Sequence, residues 1–458
     1  MSSTQRFDVG IIGLGYVGLT LATVLAEVGL RVVGVEKRAE VVRQTREGKP
    51  HFVETGLADA LGRVVRTKRL LAVESFPEDC FCDVYVITVG TPLGQDGLAR
   101  VDMIEAAARQ VALNMRPGAL VILRSTVKIG TTRQNVAPIL AASGKPFDIA
   151  MCPERTLEGR ALQELRELPQ VIGADSQVVR DKAASLFRVL TRSLVQVSSL
   201  EAAEIVKLVD NAFRDVQFAF ANEVARLCET YAVSAHEVIA SGKLGYVRTN
   251  VALPGLVGGP CLAKDPHILM QSAKARGIEL EITAASRTVN ERQPKETVDF
   301  IVAESLRRGF KKGTKLALMG MAFKGRPATD DLRGSMSVQV LKALMASPLA
   351  YRIRLYDPVI DPAELAAHFP TTAACATLED AVKGAEVVVI ANNHPDLARH
   401  LPADLAEMMN PNGFIYDYWN HFSSLSEIER GSVYFSVGNT GSSLKWPEES
   451  ASLAEAAS

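Results

Sequence analysis

Through roughly the first 195 positions, short near-continuous apolar runs alternate with longer stretches whose apolar residues recur every three to four positions. The short runs are FDVGII at 7–12, RVVGVE at 31–36, VYVITV at 84–89, LVIL at 120–123 and FDIAM at 147–151. Strands covered on both faces have this composition, and the interleaved 3.6-residue period is that of amphipathic helices, so a parallel doubly wound sheet is predicted. From residue 198 to about 306 strong strand runs are missing, and a helical pattern extends over 200–231, with Ile205, Leu208, Val209, Ala212 and Phe213 at helical spacing. After 307–309 the alternation returns, with KLALMG at 315–320, YRIRLYD at 351–357 and EVVVIA at 386–391. The expected architecture is therefore α/β: a Rossmann-type domain at 1–197, a helical middle domain at 198–308 and a smaller Rossmann-like α/β domain at 309–441. A Ser-, Glu- and Ala-rich tail at 442–458 has little to bury and is expected to be disordered.

Composition narrows the class of protein. The 458 residues are 47% hydrophobic and 22% charged, as in ordinary globular proteins, and the formal net charge is only −1. Such a balance offers no overall attraction for nucleic acid or an anionic membrane, so an anionic ligand must be met by local groups. The start runs straight into the first strand without a signal-like apolar stretch, and no later run is apolar enough to span a bilayer, so a cytoplasmic protein without membrane association is expected. Six cysteines, at 80, 82, 152, 228, 261 and 375, are too dispersed for a disulfide framework. Cys80 and Cys82 lack a second cysteine or histidine pair and the seven histidines show no metal spacing, so no metal is expected.

The first strand leads into Gly13-Leu14-Gly15-Tyr16-Val17-Gly18 and then into an apolar helix. This is G-x-G-x-x-G in the context it requires: Gly13 for the tight turn, Gly15 for close approach of a pyrophosphate, Gly18 for helix-strand packing. The second strand ends in Glu36, whose carboxylate suits both ribose hydroxyls and repels a 2′-phosphate, so the cofactor is predicted to be NAD. Lys37 and Arg38 weaken that preference a little. Ligands of such sheets lie at the carboxyl ends of strands, where Val89-Gly90-Thr91, Ser125-Thr126 and Cys152-Pro153-Glu154-Arg155 fall.

Chemistry of another kind is concentrated at Gly258-Gly259-Pro260-Cys261-Leu262-Ala263-Lys264-Asp265, which places a thiol, an ammonium and a carboxylate within five positions. A thiol reacts as thiolate, and a nearby cation favours that form. An isolated cysteine is more often a small buried hydrophobe; the glycines, Lys264 and Asp265 favour the reactive reading here. Lys207 and Asn211 are four apart on the long helix, so an ammonium and an amide share one face and suit a developing oxyanion, although the spacing alone favours a solvated lysine beside a packing asparagine.

Six motifs in order are similar to the UDP-glucose/GDP-mannose dehydrogenase family: GLGYVG at 13–18, STVKIGTT at 125–132, PERTLEG at 153–159, EIVKLVDNAFRD at 204–215, GGPCLAKDP at 258–266 and MAFKGRPATDDLRGS at 321–335. The resemblance implies two-step, NAD-dependent oxidation of the C6 alcohol of a UDP-sugar to the acid. Cys261 would trap the aldehyde as a thiohemiacetal that becomes a thioester. Lys207 and Asn211 would steady the oxyanion, while Asp265, Glu154 and Thr126 would position or activate water. Val89, Gly90, Thr91, Ser125 and Thr126 would complete the cofactor site. Glu158 and Lys264 would meet substrate, Phe323, Lys324 and Arg333 would grip the nucleotide, and Arg248 would reach a neighbouring subunit's site. Arg214-Asp215 and PER at 153–155 resemble the UDP-N-acetylmannosamine branch, whereas Lys264 is more typical of the glucose branch and Pro260 departs from both. UDP-N-acetylglucosamine and UDP-glucose therefore stay open as substrates. So do a two-electron hydroxyacid dehydrogenase, which needs no Cys261, and a silent nucleotide-sugar-binding protein. The apolar face of the long helix implies a homodimer or a higher homo-oligomer.

Overall fold

Eight strands form the first sheet: β1 (Gln5–Ile12), β2 (Val32–Val35), β3 (Leu70–Val73), β4 (Cys80–Ile87), β5 (Ala119–Leu123), β6 (Phe147–Met151), β7 (Gln170–Gly173) and β8 (Leu194–Val197). Their order, β3-β2-β1-β4-β5-β6-β7-β8, reverses direction at β1 and β4, which creates the crevice where α/β sheets bind ligands. Pairing is parallel, apart from β6 and β7, which meet antiparallel through Met151 and Gly173. The structure is a computed structural model and describes residues 5–423 and 433–440. The tail expected to be disordered at 442–458 lies outside the described residues.

A second sheet contains β9 (Lys315–Met319), β10 (Arg352–Tyr356), β11 (Ala373–Ala374), β12 (Val387–Ile390), β13 (Phe414–Asp417) and β14 (Tyr434–Ser436), all parallel, in the order β11-β10-β9-β12-β13-β14. The buried Val387–Ile390 and Phe414–Asp417 runs explain their central places. Between the sheets in sequence lie mainly helices, the longest being Leu200–Thr230 and Glu281–Arg307. Among the described residues, no helix is long and apolar enough to cross a membrane.

The chain packs as two compact units, Met1–Ala212 with Lys264–Leu280, and Phe213–Ala263 with Glu281–Ser458. The division passes through the long helix after Ala212 and again between Ala263 and Lys264, two residues beyond Cys261. The first unit is built around the aliphatic layers on the two faces of the first sheet. The second is built around Leu316, Leu318, Val340, Leu355, Val387 and Phe414.

Candidate active site

At the carboxyl end of β1, Gly13 has φ +95°, a conformation that a side chain disfavours. A Cβ on Gly18 would overlap the Gly13 carbonyl oxygen, whereas one on Gly15 would meet open space, which suits close approach by a ligand. The helix Tyr16–Glu27 has Gly15 as N-cap, no side-chain cap bond and no acid in its first turn, so its N-terminus suits a pyrophosphate. Glu36 accepts the Leu14 N–H at 3.1 Å and bonds to Arg38 Nε at 3.2 Å. Burial acts to raise the Glu36 pKa, but the Arg38 and Leu14 hydrogen bonds outweigh it and hold the group below its ordinary value. A charged acceptor at this position fits a ribose, so these residues fit NAD. Val17 belongs to the same first turn. Tyr16 accepts the Gly159 N–H at 2.6 Å and thereby ties this turn to the segment carrying Glu154 and Glu158.

Two strand-end loops are stitched together beside it. Ser125 Oγ donates to the Val89 carbonyl at 2.6 Å, and the Thr91 hydroxyl donates to the Thr126 carbonyl. Ser125 and Thr91 therefore fix the loops carrying Gly90 and Thr126.

The first unit also gathers most of the predicted catalytic polar groups. Glu154 Oε2 accepts from Arg124 at 2.6 and 3.0 Å, while Oε1 accepts the backbone N–H groups of Arg155 and Thr156 at 2.7 and 2.8 Å. Burial works to raise the Glu154 pKa, yet the Arg124 charge, the Thr156 N–H and the more distant charge of Lys207 together leave it below the usual carboxylate range. This is a held anion, suited to orienting water rather than removing a proton. Arg155 pairs with Asp210 at 3.1 Å, which anchors the same loop on the long helix. The next residue of that helix, Asn211, donates to Asp265 Oδ2 at 2.6 Å, and Lys264 bonds to Asp265 Oδ1 at 2.5 Å. Lys207, Asn211 and Asp265 are all buried. Glu158 is half-buried in the Glu154 loop.

In the second unit Cys261 is exposed, whereas Cys80, Cys82, Cys152 and Cys228 are buried. It occupies the helical turn Gly259–Leu262. Gly259 has φ +89°, donates its N–H to the Gly334 carbonyl at 2.7 Å, and leaves no room for a Cβ against the Phe323 ring. The thiol turn is thus seated on the segment that carries Phe323, Lys324 and Arg333. Lys324 Nζ lies 5.3 Å from the Phe323 ring centre, and Arg333 forms an ion pair with Asp331 at 2.6 Å. Arg248 lies in an exposed stretch, its guanidinium 4.9 Å from the Tyr246 ring centre.

Several supporting residues escaped the sequence reading. Arg124 directly follows a wholly buried strand, a position where a lone cation demands a partner and could have drawn notice. Glu54 accepts the backbone N–H groups of Gly159 and Ala161, and Glu204 accepts those of Gly130 and Thr132. Their partners are distant in sequence, so no local pattern announces them.

Family models described as the UDP-glucose/GDP-mannose dehydrogenase family match along the chain: its NAD binding domain at residues 7–191, its central domain at 201–292 and its UDP binding domain at 317–424. A UDP-N-acetyl-D-mannosamine dehydrogenase of Pyrococcus horikoshii is 33% identical over 396 residues, covering 85% of this chain and 90% of that protein. An NDP-N-acetyl-D-galactosaminuronic acid dehydrogenase of Ralstonia nicotianae is 33% identical over 354 residues, covering 74% of this chain and 81% of that one. The solved UDP-N-acetyl-D-mannosamine dehydrogenase structure from Pyrococcus horikoshii superposes with a TM-score of 0.84 at 29% identity, covering 95% of this chain and all of that one.

Proposed function

The chain belongs to the UDP-glucose/GDP-mannose dehydrogenase family, and from that premise we propose that it oxidises the C6 alcohol of UDP-N-acetyl-D-mannosamine to the acid through a thioester on Cys261. Family membership makes it an NAD-dependent UDP-sugar dehydrogenase. The choice of sugar is supported by the relative from Pyrococcus horikoshii and by the Arg214-Asp215 and PER features of this chain. When bound, NAD accepts one hydride in each of two oxidations.

The aldehyde must not escape before the second oxidation. The Cys261 sulfur adds to its carbon and the carbonyl oxygen takes a proton, giving a thiohemiacetal. Loss of hydride and that proton leaves the thioester; water then adds, and the acid and the thiol separate. Lys207 and Asn211 carry the oxyanion load, with Asp265 holding the Asn211 amide in place. Glu154 and Thr126 orient water. Glu158, Lys264 and Arg248 contact substrate, and Phe323, Lys324 and Arg333 hold the nucleotide. We also assign the exposed apolar face of the long helix in the second unit, Phe213, Phe220 and Leu227, with Tyr231 just past its end, to a second copy of the chain. A helical middle domain at 198–308 remains part of this reading.

The observation that carries the thioester reading is the exposed Cys261 on a turn packed against Phe323 and Gly334. Its test is a panel of UDP-sugars with NAD, with NADH counted and the product weighed. The wild type is expected to give two NADH per sugar and the uronic acid with UDP-N-acetylmannosamine. Cys261→Ser is expected to form no acid while binding NAD as before. Acid formation by Cys261→Ser at the wild-type rate would exclude the thioester, and one NADH per substrate would indicate simple alcohol oxidation.

A further inference from the structure

The second unit contains a buried polar chain that holds the thiol-bearing segment at both ends. At one end Asn222 clasps Gly255, its Nδ2 donating to the carbonyl at 3.1 Å and its Oδ1 accepting the N–H at 2.9 Å. The same Nδ2 reaches Asn290 Oδ1 at 3.0 Å, and Asn290 Nδ2 donates to Asp215 Oδ1 at 2.9 Å and to the Asp215 carbonyl at 3.0 Å. Asp215 also accepts from Ser286 Oγ at 3.0 Å and from Arg287 Nη1 at 2.6 Å. Arg287 Nη1 then reaches the other end of the segment, donating to the Leu262 carbonyl at 3.1 Å, one residue beyond Cys261. Its Nη2 and Nε bond to Glu291 Oε1 at 3.0 and 3.3 Å. Asn222, Asp215, Arg287 and Asn290 are all buried.

Stability alone is a poor reason for this arrangement, because the cost of desolvating an ion pair commonly cancels its attraction, and an apolar core of the same volume serves as well. What the network provides is direction. The Leu262 carbonyl belongs to the last residue of a helical turn, where the carbonyls lack intrahelical donors and can be reoriented cheaply. A planar guanidinium fixed by Asp215 and Glu291 sets that carbonyl, and with it the turn from which Cys261 projects. We propose that Asp215 and Arg287, joined through Asn290 to Asn222, are positioning residues for Cys261. They would place the sulfur for capture of the aldehyde without touching substrate themselves.

The inference rests on the thioester reading above, and its test separates the two. The full-length enzyme would be compared with Arg287→Met, which removes the donor, and Arg287→Lys, which retains one. Three quantities would be measured: NADH per UDP-sugar with hydroxylamine present to capture released aldehyde, kcat and the KM for NAD, and hydrogen exchange of a peptide covering 255–262. Arg287→Met is expected to lower kcat at least tenfold, leave the KM for NAD within twofold, bring NADH per sugar from two toward one with aldehyde captured, and speed 255–262 exchange at least tenfold. Arg287→Lys should restore part of each change and serves as the test should Arg287→Met fail to fold. Unchanged 255–262 exchange would overturn the proposal whatever the chemistry. So would a general loss of rate in which NADH per sugar stays at two. A wild type giving one NADH per sugar would refute the thioester reading instead, leaving the exchange measurement to decide the positioning role.

Discussion

Replacing Arg124 with methionine tests how the first unit keeps a carboxylate charged inside its core. The substitution preserves an apolar stem but removes the bonds at 2.6 and 3.0 Å to Glu154, at 3.1 Å to the Cys152 carbonyl and at 2.8 Å to Gln170 Oε1. The two side chains are 1% and 10% exposed, so water cannot take the guanidinium's place. Breaking such a pair while leaving one charge behind costs about 3–5 kcal/mol. The pH dependence has a definite sign. In the wild type the folded Glu154 pKa is depressed, so its stabilisation is present above the unfolded carboxyl pKa and lost as pH falls through the folded value. In Arg124→Met burial acts with less opposition and raises the folded pKa, giving a penalty at neutral pH that is relieved on acidification. The stability gap measured by urea unfolding with far-ultraviolet circular dichroism should therefore narrow between pH 7 and about pH 4. Adding Glu154→Gln should recover part of the loss, since a neutral amide does not require a cation. A gap below about 1 kcal/mol at pH 7, a gap that does not change with pH, or no recovery in the double variant would each refute the reasoning.

Two further outcomes follow from the proposed roles. Lys207→Ala should lower kcat about 10²–10³-fold, the range for loss of one oxyanion donor, while the KM values for NAD and sugar move only a few-fold; steady-state kinetics would show this. Phe220→Glu places a charge on the exposed apolar face of the long helix, proposed above to meet a second copy, and should give monomers in sedimentation velocity where the wild type is expected to give dimers, without unfolding the chain.

The strands that were legible in the sequence are those with near-continuous apolar runs. The runs 7–12, 84–89, 120–123 and 147–151 reappear as β1, β4, β5 and β6 with ends shifted by a few residues. β7, β8 and β14 were not read because each is three or four residues long and contains a polar residue, and β8 is partly exposed, so neither period nor continuous apolarity marks them. At the site, a residue was legible when its demand was local. Gly13 needs a left-handed backbone and Gly18 needs absence of a side chain, both consequences of the adjoining strand and helix. Pairings across the chain were not. Arg124 finds Glu154 thirty positions away, and Asp215 finds Arg287 seventy-two positions away; each pairing exists only because helices and strands bring the two side chains together. For Glu154 the sequence indicated its place, while its electrostatic state depended on Arg124.

The mutual fit of Gly259 and Gly334 bears on how the protein can be redesigned. A Cβ on Gly334 would come within 2.7 Å of the Gly259 oxygen, and one on Gly258 within 2.5 Å of the Gly334 oxygen, so two backbones touch where side chains would ordinarily keep them apart. Neither segment can therefore be exchanged alone. A graft intended to change nucleotide preference by importing a foreign 323–334 loop must bring its matching 258–262 turn with it, because the interchangeable part is the interlocked pair.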